Sequence, residues 1–226
     1  MDNPHLEEIP HAQALKGLQR INAVSRSWRA LWEPICQLAR SQGESISVLD
    51  VACGSGDTLL NMCRLASQEA VSIRFTGLDI SPTAIRFAAN AARSLDLDVE
   101  FRRANASEIA NGPRYDVVCC SLFLHHLPVS EAVDLLGQMK ATARQMVLVQ
   151  DLRRTVAGYG LALTVPKLLT RSQIVHVDGV RSVRAAFSID EVHKLARASD
   201  LKHAEIRKLW PQRFLLSWTR SPVGDP

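Results

Sequence analysis

The stretch Val48-Leu49-Asp50-Val51-Ala52-Cys53-Gly54-Ser55-Gly56-Asp57 decides the reading of this chain. The apolar, β-branched run from Ile46 to Val51 reads as a parallel strand buried on both faces. It ends in Ala52-Cys53-Gly54-Ser55-Gly56, small residues that let backbone approach a ligand closely, and a helical pattern begins near Asp57. A second apolar run, Ile73 to Asp79, closes in a carboxylate that can accept bonds from both hydroxyls of a ribose. Strand, small-residue turn, helix, strand and acid together describe a nucleoside site at the carboxyl edge of a parallel sheet. A glycine loop that merely turns the chain is the plain alternative, and the acid at Asp79 argues against it.

Two nucleoside classes compete. A dinucleotide fingerprint, Gly-x-Gly-x-x-Gly, needs a third glycine to pack helix on strand. Counting from Gly54, that position is Leu59. The loop also carries Asp50 and Asp57, where a pyrophosphate would want no acid. Acids suit a ligand bearing an ammonium and a sulfonium. Leu49-Asp50-Val51-Ala52-Cys53-Gly54-Ser55-Gly56 resembles the first motif of class I S-adenosylmethionine-dependent methyltransferases, in outline hydrophobic-Asp-hydrophobic-x-x-Gly-x-Gly.

The rest of the chain alternates strands and helices. Helical spacing runs through Pro10 to Arg40, read as two helices broken near Asn22-Ala23-Val24-Ser25. A helix follows over Thr58 to Gln68. Ser81-Pro82 starts another that runs to Ser94, with a serine cap and proline at the first helical position. Asp98–Arg103, Tyr115–Ser121 and Gln145–Asp151 read as strands, with a helix over Val129–Ala143. Leu152 to Phe187 breaks the rhythm, its apolar part carrying Gly158, Gly160 and Pro166. Ser188-Ile189-Asp190-Glu191 is a capping box opening a helix to Ala198. Ala204–Leu209 and Arg213–Thr219 read as an antiparallel pair.

This pattern predicts an α/β fold with a doubly wound, mostly parallel, seven-stranded sheet and right-handed crossovers. One methyltransferase domain over 1–226 is expected: an N-terminal helical cap at 1–44, a cofactor-binding core at 45–151, a lid insert at 152–187, and a C-terminal helix and strand pair at 188–220. A chain of 226 residues, 46% hydrophobic, can bury one good core. No apolar window is long enough to span a bilayer, and Met1 to Glu8 lacks a signal-peptide layout, so a cytoplasmic enzyme is expected.

The five cysteines have no Cys-x-x-Cys spacing, and the neighbours Cys119 and Cys120 point to opposite faces of a strand, so no metal site is expected. The charge is +4 overall, but Leu152 to Arg220 holds thirteen Lys/Arg against five Asp/Glu. Those basic residues suit an anionic substrate, an acidic carrier protein or a membrane surface as partner, or simply a solvated face. Nucleic acid is not expected, because no aromatics interleave them. The sequence leaves the oligomeric state open.

What the resemblance implies can be placed residue by residue. Asp50 and the backbone of Ala52, Cys53, Gly54, Ser55 and Gly56 hold the amino-acid part of S-adenosylmethionine. Asp79 takes the ribose and Ile80 flanks the adenine. The family usually has an acid and a small residue after the third strand, and here Asn105 and Ala106 stand there instead. Ser121 and Leu122 close the cofactor side. Ser121-Leu122-Phe123-Leu124-His125-His126-Leu127-Pro128 resembles a turn of the ubiquinone and menaquinone methyltransferases. The segments His11–Asn22, Leu168–Ser172, Val175–Phe187 and Trp210–Leu216 are similar to a narrower bacterial group found alongside polyketide-forming and flavin enzymes.

That resemblance implies O-methylation of a small lipophilic acceptor, with a cofactor-binding partner or sensor without turnover as the alternative. The candidate catalytic residues are His176, oriented by Asp178 two residues on along an extended segment, and His126. His125, Asp151, Tyr159 and Arg171 are candidates for contact with the acceptor.

Overall fold

The computed structural model describes residues 28–169 and 173–221, with side chains described outside 165–178. Helix α1 (Arg29–Gln42) leads into β1 (Ile46–Val51), α2 (Asp57–Gln68), β2 (Ile73–Asp79), α3 (Pro82–Ser94) and β3 (Val99–Arg103). After a 3-10 turn at Ala106–Asn111 come β4 (Tyr115–Ser121), a second 3-10 turn (Leu124–His126), α4 (Val129–Thr142) and β5 (Ala143–Leu152). Helices α5 (Val156–Leu169), α6 (Gln173–Ala185) and α7 (Ile189–Ala198) precede β6 (Glu205–Leu209) and β7 (Arg213–Thr219).

The strands form one seven-stranded sheet in the order β3-β2-β1-β4-β5-β7-β6. The first five are mutually parallel, and β7 lies antiparallel between β5 and β6. The order reverses between β1 and β4, where crevices open at the carboxyl ends of strands. This is the doubly wound, mostly parallel sheet that the alternation of apolar runs and amphipathic helices predicts.

The sheet separates two cores. On one face Val48, Cys119, Leu148 and Leu215 pack with Leu31, Trp32 and Ile35 of α1 and Leu59 and Met62 of α2. On the other, Val118, Val147, Val149 and Trp218 pack with Leu135 and Met139 of α4 and Leu195 of α7. Alternation along β4 sends Cys119 into the first core and Cys120 into the second. All five cysteines are free, and no group of His, Cys, Asp or Glu among the described residues could hold a metal.

Local signals settle the helix starts. Ser81 accepts from the Ala84 amide at 3.2 Å, ahead of Pro82. Ser188 and Glu191 complete their capping box through bonds of 2.7 and 3.3 Å. The first of the two N-terminal helices, and Arg171, lie outside the described residues.

The stretch 152–187 departs from expectation. It is a pair of helices packed on each other, and α6 also packs against the turn Leu124–His126. Thr155 supplies the start, its hydroxyl accepting from the Gly158 amide at 2.9 Å. Among the described residues no helix is long and apolar enough to cross a membrane.

Leu59 stands where a dinucleotide fold has its third glycine, and it is fully buried. Leu59→Ala is expected to cost about 2–5 kcal/mol, read from urea unfolding, because the cavity lies between helix and sheet and collapses poorly.

Candidate active site

The turn after β1 is built from backbone bonds and one carboxylate. The Cys53 amide donates to the Leu78 carbonyl at 2.8 Å, and the Gly56 amide closes back on Cys53 at 3.0 Å. Asp79, at the end of β2, accepts from the Gly54 amide with one oxygen and from the Ser81 amide with the other, both at 2.8 Å. One side chain therefore joins the loop after β1 to the start of α3. Ala52, Gly54 and Gly56 all have positive φ, of 56°, 55° and 77°.

The two glycines serve different ends. A Cβ on Gly54 would meet nothing within 4 Å, so the loop presents an open backbone surface there. A Cβ on Gly56 would lie 2.7 Å from the Phe101 ring and 3.1 Å from Ala88. Gly56 is therefore required for packing against α3 and β3.

Asp50 lies under the loop, 1% exposed, and among the described residues it is bonded only by the Cys119 thiol at 3.7 Å. Burial pushes its carboxyl up to about 7, against the weaker opposing pull of the thiol bond, and Asp79 adds a repulsion. Burial likewise raises the thiols of Cys53, Cys119 and Cys120 well above their ordinary range. Among the described residues no cation acts on Asp50, so a positively charged ligand would find an uncompensated acid beneath its seat. Open backbone at Gly54, the Asp79 carboxylate and the buried Asp50 together fit S-adenosylmethionine.

The expected adenine side is partly formed. Ile80 is 62% exposed beside Asp79. Asn105 uses its side-chain oxygen to cap the 3-10 turn, accepting from the Ser107 amide at 3.1 Å, and Ala106 packs on the core. The amide oxygen keeps a second lone pair for a ligand.

The end of β4 and the end of β5 make a second cluster. Ser121 donates to Gln150 at 2.9 Å, and Leu122, with φ of 57°, turns the chain away from the sheet. The His125 ring meets the Asp151 carboxylate at 2.6 Å through Nδ1, and its backbone amide donates to the other oxygen at 3.0 Å. The Leu152 amide adds a third bond to Asp151 at 2.6 Å. His125 is 5% exposed and Asp151 1%, and the His126 ring stacks on His125 at 4.1 Å between centroids. Because a carboxylate only accepts, a neutral His125 carries its proton on Nδ1 and keeps its lone pair on Nε2.

His125 and Asp151 were expected to touch the acceptor separately; the structure joins them. Their pairing crosses 26 residues and exists only because β4 and β5 are neighbours, so no local spacing announces it. Tyr159 joins α5 to α6, its hydroxyl accepting from Arg184 at 3.0 Å. His176 and Asp178 fall in α6, where the backbone is helical rather than extended. Two helical residues two apart are turned about 200° around the axis, which removes the argument that set them on one side. Their side chains lie outside those described.

Comparison with known proteins agrees with this geometry. Residues 48–145 match the family model described as a methyltransferase domain. A ubiquinone biosynthesis O-methyltransferase of Alkalilimnicola ehrlichii is 32% identical over 87 residues, 38% of this chain and 33% of the relative. An indolepyruvate C-methyltransferase of Streptomyces griseus is 29% identical over 107 residues, 46% of this chain and 31% of the relative. The chain thus spans about a third of the length of these curated relatives. Among solved structures, the plantazolicin methyltransferase BpumL, in complex with a triazolic desmethylPZN analog and SAH, shares the fold with a TM-score of 0.66. It is 16% identical, with 94% of this chain and 95% of that chain covered.

Over residues 48–145 the chain is similar to a methyltransferase domain, and its fold is shared with a methyltransferase solved with SAH. Over part of that stretch it is also similar to ubiquinone biosynthesis O-methyltransferases and to an indolepyruvate C-methyltransferase. Its relatives methylate at oxygen and at carbon.

Two outcomes follow from the acids. Asp79→Ala is expected to weaken S-adenosylmethionine binding at least tenfold, about 1.5–3 kcal/mol, measured by calorimetry, through loss of a charged acceptor and of the loop's tie to α3. Asp50 holds its proton more tightly folded than unfolded, so stability falls as pH rises from about 4 toward 7 and is level above. A bound cation favours the ionised form, so cofactor affinity should rise through about pH 7. Asp50→Asn should flatten both profiles; unchanged pH slopes in the variant would remove the assignment.

Proposed function

We propose that this chain transfers a methyl group from S-adenosylmethionine to a hydroxyl of a small lipophilic acceptor, with His125 as the base. The observation that carries this reading is the buried His125–Asp151 pair at the carboxyl edge of β4 and β5. A carboxylate that holds one imidazole nitrogen and leaves the other with a lone pair is the arrangement a general base requires. A methyl transfer to carbon or nitrogen needs such a base less uniformly than transfer to a hydroxyl.

The cofactor, when bound, supplies a methyl group already activated by its sulfonium. The chain's residues do the rest. The loop Ala52–Gly56 and Asp79 orient the donor, and the buried Asp50 answers its positive charge. His125 Nε2 takes the acceptor's hydroxyl proton while Asp151 holds the Nδ1 proton and steadies the imidazolium that forms. In-line positioning supplies most of the acceleration, because the donor itself is reactive. Exposed apolar side chains on α5, namely Val156, Leu161 and Leu163, support a lipophilic acceptor.

His125→Gln and Asp151→Asn should each lower turnover by roughly 10²–10⁴ at neutral pH, with S-adenosylmethionine affinity unchanged. Higher pH should partly restore both, since an ionised hydroxyl needs no base. The comparison runs beside His126→Gln and His176→Gln on one good acceptor. If His125→Gln stays within tenfold of the parent while either other variant collapses, the base is elsewhere.

A further inference from the structure

Arg213 opens β7, is 5% exposed, and among the described residues makes no ion pair and no side-chain hydrogen bond, with Nη1 buried and unpartnered. A buried guanidinium without a counter-ion is costly, and folded proteins avoid it unless something else supplies the negative charge. Burial lowers its pKa to about 10, and Asp151 acts on it through space in the opposite sense without bonding it. Asp151 is already committed to His125 and to the Leu152 amide.

A second orphan donor lies beside it. Gln150 is fully buried, its side-chain oxygen accepts from Ser121, and its Nε2 has no partner. Register places the two together. Leu152 pairs with Arg213 and Gln150 with Leu215 across β5 and β7, so Gln150 and Arg213 are diagonal neighbours on one face of the sheet. Asp151 and Phe214 point to the other face. The orphan donors sit at the carboxyl end of β5, next to the end of β4, where this fold places its ligands.

We propose that Arg213 and Gln150 form a subsite for a carboxylate carried by the methyl acceptor. A planar guanidinium and a planar amide presented from adjacent strands match a planar, two-oxygen anion better than a phosphate or a lone hydroxyl. Ser121 holds the Gln150 oxygen, which leaves Nε2 as the donor on offer. The acceptor is then amphipathic, with an apolar body, a reactive hydroxyl and an acid group. The inference rests on the acceptor being a small molecule, as proposed above, and its test does not require turnover.

The full chain with S-adenosylhomocysteine is titrated calorimetrically with benzoate and with benzamide, which have the same shape without the charge. The parent should prefer benzoate at least tenfold. Arg213→Met should lose that preference, Arg213→Lys should keep part of it, and Gln150→Leu should reduce it. In a second arm, KM for 3,4-dihydroxybenzoate should rise at least tenfold in Arg213→Met while that for its methyl ester stays level. A parent that does not distinguish benzoate from benzamide, or a folded Arg213→Met that still does, overturns the subsite. Should Arg213→Met fail to fold, Gln150→Leu and Arg213→Lys carry the decision. Retained benzoate preference without any turnover would sink the hydroxyl-transfer reading and leave the subsite standing.

Discussion

Both oxygens of Asp79 are used inside the fold, one on the Gly54 amide and one on the Ser81 amide. Much of the carboxyl edge hangs on that pair of bonds. The loop after β1 adopts left-handed backbone at Ala52, Gly54 and Gly56, which strains Ala52 but not the glycines. Asp79 constrains the loop from the neighbouring strand, and Phe101 from β3 fills the space that the missing Cβ of Gly56 leaves. The same carboxylate anchors the start of α3, whose buried Ala84, Ala88 and Ala92 let the helix lie close to the sheet. A cofactor that bonds Asp79 through its ribose thus acts on a group that already fixes the shape of its own seat.

The sheet was legible because its central strands β1, β4 and β5 are buried on both faces over most of their length. Ile46–Val51, Ile73–Asp79 and Tyr115–Ser121 carry β-branched and apolar residues up to turn residues, and they form at the positions their composition marks. Capping chemistry at Ser81 and Ser188 was equally readable, since it depends on three or four consecutive residues. The stretch 152–187 was misjudged for the opposite reason. Gly158, Gly160 and Pro166 weigh against a helix one residue at a time, whereas α5 forms with a Thr155 cap and packing against α6. Thr155 three residues before Gly158 was the available signal.

Long-range pairs were not legible at all. His125 finds Asp151, and Gln150 comes to lie beside Arg213, only once β4, β5 and β7 are set in register. Adjacent residues of β5 then do different work: Gln150 faces the layer of α1 and α2, and Asp151 the layer of α4 and α7. A strand end one residue out of register would exchange the two, placing an amide against His125 and an acid against Arg213. The antiparallel insertion of β7 between β5 and β6 is what makes the guanidinium available at this edge.

Cys119 and Cys120, joined by one peptide bond, each belong to a different core. They form a pair of built-in chemical reporters, one for each side of the sheet. Alkylation followed by mass spectrometry, in variants keeping one thiol or the other, would time the opening of the two helical layers separately. Equal rates would mean that both layers come away from the sheet in one cooperative event. Unequal rates would identify the layer that peels first, from two atoms that share nearly the same position along the chain.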